Sequence, residues 1–140
     1  MDLQRTVDAI VKGVSALPAL AGLPVVAEDK GDVVKNVQAE IAKTSFCVVV
    51  GAAEFRDEAP DARACYGTAK VVVTVFEKPV VNRSTPGRPT FMSAAQSIAR
   101  GMKLFDTGEG LLVTKSISLP QDLGAGVVSC EVAFEVKTTL

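Results

Sequence analysis

The stretch "VVSCEVAFEVK", Val127–Lys137, alternates strictly in polarity. Val128, Cys130, Val132, Phe134 and Val136 share one side of an extended chain, and Ser129, Glu131, Ala133, Glu135 and Lys137 share the other. A strand with one apolar and one polar side belongs to a sheet packed on one face and wet on the other, the pattern of antiparallel sheets. The residues upstream extend this reading. Tyr66–Lys78 is a longer strand in which Val71, Val73 and Val75 oppose Val72, Thr74 and Phe76, so both of its faces are apolar. "SFCVVVG" (45–51) is a buried strand closed by Gly51, "LPVVAE" (23–28) is a short strand at or near an edge, and Leu111–Ser118 is a further strand.

Three helices are expected between these strands. Leu3, Val7, Ile10, Val11, Val14 and Leu17 recur at three- and four-residue spacing until Pro18 and Gly22 interrupt them. Asp32 suits the N-cap of a second helix whose apolar face is Val33, Val34, Val37 and Ile41. Thr90 caps a third, with Phe91, Ala94, Ala95, Ile98, Met102 and Phe105 as its buried stripe. "AAEFRDEAPDARA" (52–64) reads as a charged loop, and "DTGEG" (106–110) as a turn. The order α-β-α-β-β-α-β-β implies an α+β fold, a mainly antiparallel sheet with about three helices packed on it, in one domain spanning residues 1–140.

Composition limits function more than it names it. Among 140 residues 48% are hydrophobic and only 5% aromatic, so 22 valines help to build an aliphatic, strand-rich core. Fifteen basic and sixteen acidic side chains leave a net charge of −1, with no basic block suited to neutralising many phosphates. Histidine is absent, which removes the commonest general base and metal ligand. Glu54, Asp57, Glu58 and Asp61 cluster, but Arg56 and Arg63 interleave with them in no calcium-loop pattern. "GEG" (108–110) and "GAG" (124–126) lack the rest of a dinucleotide fingerprint and read as turn glycines. Cys47, Cys65 and Cys130 form no C-x-x-C pair and are expected to be reduced, mostly buried thiols. "ALPALAGLPVVA" (16–27) is too short and too proline-broken to span a bilayer, so the chain is expected to be cytoplasmic at synthesis. No catalytic, cofactor-binding or metal-binding residue is expected.

The oddity lies after the long strand. "VVVTVFEKPVVNR" (71–83) breaks at Pro79 yet stays apolar at Val80 and Val81, and then enters the basic loop "NRSTPGRP". Two readings explain it: the valines tuck under a loop, or another subunit covers them. The second makes Glu77, Val80, Val81, Arg83 and Arg88 candidate interface residues. The loops 52–64 and 82–89 are the segments expected to order on assembly.

"LPVVAEDKGDVVKNVQAEIAKTSFCVVVGAAEF", "VFEKPVVNR" and the Ala- and Ile-rich helix that follows resemble the tail terminator, or tail completion, proteins of long-tailed phages and prophages. The resemblance covers nearly the whole chain, with Val75–Arg83 its most specific piece. It implies a non-enzymatic minor tail protein that assembles in the host bacterial cytoplasm and ends in the virion tail. There it would form a ring, usually of six subunits, that caps the tail tube, stops its polymerisation and meets the head-tail connector protein. DNA would be passing cargo only, which a near-neutral chain suits. Another neck or head-completion protein, or part of a phage-like injection device, is the nearest alternative. A small-ligand-binding module or an enzyme is the alternative from a different class.

Overall fold

The computed structural model describes residues 3–28 and 33–140, so the proposed cap at Asp32 lies outside the described residues. In chain order the elements are α1 (Leu3–Ser15), a single 3₁₀ turn (Pro18–Leu20), β1 (Val25–Ala27), α2 (Val33–Thr44), β2 (Phe46–Asp57) and β3 (Tyr66–Glu77). There follow α3 (Pro79–Asn82), α4 (Phe91–Gly101), β4 (Val113–Ile117), β5 (Gln121–Gly124) and β6 (Val127–Thr139). The sheet runs β1-β2-β3-β6-β4, with β5 paired beside β4 along the same side of β6. Only β1 is parallel to its neighbour. The α+β class and the mainly antiparallel sheet follow the sequence reading.

The central pair is β3 and β6, in unbroken register from Tyr66↔Thr139 to Glu77↔Val128. Its inner side carries Val71, Val73, Val75, Cys130, Val132, Phe134 and Val136, each at most 1% exposed. α1 delivers Val7, Ile10 and Val14 to this layer, and α4 delivers Phe91, Ala94, Ala95, Ile98 and Met102 after it. Fully burying the valine, isoleucine, phenylalanine and methionine side chains among these stabilises by roughly 1.5–3 kcal/mol each before conformational entropy is counted. Gly13 lets α1 approach the end of α4 closely, because a Cβ there would run into the Phe105 ring and the Met102 methyl. α4 starts as expected: the Thr90 hydroxyl accepts from Ser93 N at 3.1 Å, and Thr90 N donates to Ser93 Oγ at 3.0 Å.

The structure corrects four expectations. The segment 52–64 is not one charged loop: β2 continues to Asp57, and only 58–65 connects it to β3. A bulge hides the continuation, because Ala52 faces Val71 and Glu54 faces Lys70, leaving Ala53 without an opposite residue. Val80 and Val81 do not tuck under a loop but sit on α3, 84% and 47% exposed. A strand absent from the sequence reading, β5, follows the Leu119–Pro120 corner. Finally, α2 lies over the outer face of the sheet yet buries none of its residues fully, so that face is only partly covered.

Candidate assembly interface

Glu77 closes β3 with its carboxylate inside the protein, 0% exposed. Its two oxygens accept from Asn82 Nδ2 at 2.6 Å, Phe91 N at 3.1 Å and Arg83 Nη2 at 3.3 Å. One side chain thereby ties the end of a strand to α3 and to the first N–H of α4, where a negative charge suits the helix dipole. Asn82, itself 1% exposed, also donates to Pro89 O at 2.9 Å. Arg88 Nη1 donates to Thr44 O at 2.8 Å and to Asn82 Oδ1 at 3.3 Å. The first of these caps the last turn of α2 with a cation. Lys78 N donates to Ser45 O at 2.9 Å, completing the junction.

The five sequence-nominated residues thus divide by role. Glu77, Arg83 and Arg88 meet in one polar network that fixes residues 78–90, a segment tied down within the chain. Val80 and Val81 are the apolar side chains that this network holds outward. Arg83 remains half-exposed beside them, its side chain 52% accessible.

The outer face of the sheet supplies a larger surface that sequence reasoning missed. Val33, Val34 and Val37 of α2 form one wall of an open groove of about 720 Å³, and Val49, Val72, Thr74 and Phe76 line its sheet side. Val72, Thr74 and Phe76 are the half-buried alternates of β3. Glu28 and Glu131 enter the same groove as acidic groups, opposed by Lys70. Ile41 and Phe76 continue the apolar surface to Val81 and to Leu123 of β5. Around the β4–β5 edge, Leu111, Val113, Ile117, Leu119 and Leu123 are all at least 39% exposed. The apolar spacing of α2 was the available signal for the groove, but spacing alone does not say whether a helix stripe closes onto the sheet.

Little here suits covalent chemistry. Burial, aided by Glu40, pushes the Cys47 thiol up to about 12, and burial also raises that of Cys130, so both favour the protonated, unreactive form. Cys65 is exposed, unlike the other two, which departs from the expectation of mostly buried thiols at that position. Among the described residues, no cluster of three or more His, Cys, Asp or Glu is arranged to hold a metal ion. Among them too, no helix is long and apolar enough to cross a membrane.

Neither a protein-family model nor a curated protein matches the chain. Solved structures do: a chain in a structure described as the virion of a native gene transfer agent (GTA) particle superposes with a TM-score of 0.63 at 15% sequence identity. The likeness covers 99% of this chain and 95% of that one, so the whole α+β arrangement, and not a fragment of it, is shared with a protein of that particle.

Proposed function

We propose that this protein is a non-enzymatic structural component of a phage-like virion. The observation that carries the reading is the end-to-end fold likeness to a chain of a gene transfer agent particle. The open apolar surfaces agree with it, since apolar patches of this extent on a small domain mark contact sites. Within that class the protein is a tail terminator. It forms a ring of six that caps the tail tube, ends its polymerisation and offers a surface to the head-tail connector protein. Val80 and Val81, positioned by Glu77, Arg83 and Arg88, belong to the subunit contact. DNA passes through the ring as cargo, and the net charge of −1 disfavours tight phosphate binding on the way.

Light scattering after size exclusion, at several concentrations and with and without purified tube protein, tests this reading. A species near six times the 14.6 kDa chain, alone or on the tube, and shorter tubes in its presence are expected. A chain that stays monomeric and leaves tube length unchanged overturns the tail-terminator role. Co-purification with portal instead of tube protein would move the same structural role to the neck.

A further inference from the structure

We infer that the groove between α2 and the outer face of the sheet is the receptor for α3 of a second copy of this chain. The inference rests on the ring reading above and specifies which surfaces meet. Charge complementarity selects the occupant. Segment 78–90 carries Lys78, Arg83 and Arg88 and no acidic residue, and it displays Val80 at 84% exposure. The groove offers the converse in balance: an apolar floor of Val49, Val72 and Phe76, with two acids, Glu28 and Glu131, set into it against a single lysine, Lys70. Among the described residues neither glutamate is held in an ion pair, although both border apolar surface.

The docking places Val80 of one copy on Phe76 and Val72 of the next, beneath Val34 and Val37 of α2. Arg83 of the first copy turns its free N–H groups to Glu131 of the second. Apolar burial supplies affinity, while the charge pair sets orientation and rejects like-charged arrangements. Donor and acceptor are different surfaces, so within the proposed ring the contact is heterologous and repeats from copy to copy until rotation closes it. The polar network around Glu77 serves this contact by presenting α3 as a rigid knob, so little ordering entropy is lost on docking.

The test mixes two variants with one accessible cysteine each, Val80→Cys and Val34→Cys, both carrying Cys65→Ser to remove the exposed native thiol while Cys47 and Cys130 stay buried. A short bismaleimide is expected to join the two variants to each other and neither to itself. Glu131→Lys, at an exposed position and checked for an unchanged fold by circular dichroism, should weaken association about tenfold or more. Linkage of Val80→Cys to itself would mean that α3 meets α3 and not the groove, and would overturn the inference. Mass above the monomer without mixed linkage would overturn this contact and leave the ring standing. Monomers at every concentration, with no linkage, would overturn the self-contact, and the virion role would then depend on tube binding alone.

Discussion

Replacing Glu77 by alanine removes the acceptor shared by three donors at the start of the candidate interface. The three losses are unequal. Phe91 N is buried and, as the first N–H of α4, has no partner within its helix, so its orphaning costs about 1–3 kcal/mol. Asn82 Nδ2 keeps Pro89 O and loses one of two bonds, roughly 1 kcal/mol. Arg83 is 52% exposed and returns to water, so its ion pair contributes no more than about 1 kcal/mol. The sum is about 3 kcal/mol, at the low end of the 3–5 kcal/mol typical of breaking an enclosed ion pair because one partner is solvated. In a 140-residue domain this lowers Tm by about 10 °C. Glu77→Gln keeps the shape and one acceptor but turns an amide towards Asn82, and should fall between the two. Thermal and urea unfolding measured by circular dichroism decide the matter. A loss below about 1 kcal/mol for Glu77→Ala would refute the assignment of Glu77 as the anchor of the 78–90 segment.

Three further outcomes follow from the packing and the titrating groups. Gly67→Ala should destabilise strongly while Gly51→Ala costs little, because the new Cβ meets the backbone carbonyl of Arg56 in the first case and the movable Glu28 carboxylate in the second. Urea midpoints of the two variants separate them. The Lys137 ammonium, donating to Glu58 at 2.5 and 2.6 Å and assisted by the Thr68 hydroxyl, holds the Glu58 carboxyl below its ordinary 4.5. A depressed carboxyl contributes stability that is full above its unfolded pKa and lost as the pH falls through the folded one. Lys137→Met should therefore flatten the fall in Tm below about pH 4.5 and leave its slope near neutrality unchanged, as a pH series of melts would show. Iodoacetamide at pH 8 should label Cys65 alone in the native chain and all three cysteines in denaturant, as counted by intact mass.

Much of the fold is readable in the sequence because its two central strands, β3 and β6, follow a two-residue period over most of their length. Val128 to Val136 and Val71 to Val75 announce the inner face, and Thr90 with the Phe91–Met102 stripe announces α4. The failures have local causes. In β2 the period slips at Ala53, so Glu54 and Phe55 look like loop residues although they pair with Lys70 and Ala69. In β5, Gln121–Gly124 carries no apolar alternation because all four residues are exposed. The candidate interface is half legible. A proline followed by two valines flags Val80 and Val81, although not the short helix α3 that carries them, and the groove depends on how far α2 stands from the sheet, a separation that no residue spacing encodes.

The bulge in β2 gives that strand a tolerance its partner lacks. Ala53 is surplus to the pairing, so excising it would restore a regular ladder with Ala52 still opposite Val71 and Glu54 still opposite Lys70. Every residue downstream would keep its neighbour and its side of the sheet. In β3, by contrast, every residue from Tyr66 to Glu77 is matched to one in β6, and losing any would turn the rest of the strand inside out. Of the two long central neighbours, β2 therefore stores a residue of slack and β3 none, and single-residue length changes should survive in β2 while the same change in β3 unmakes the core.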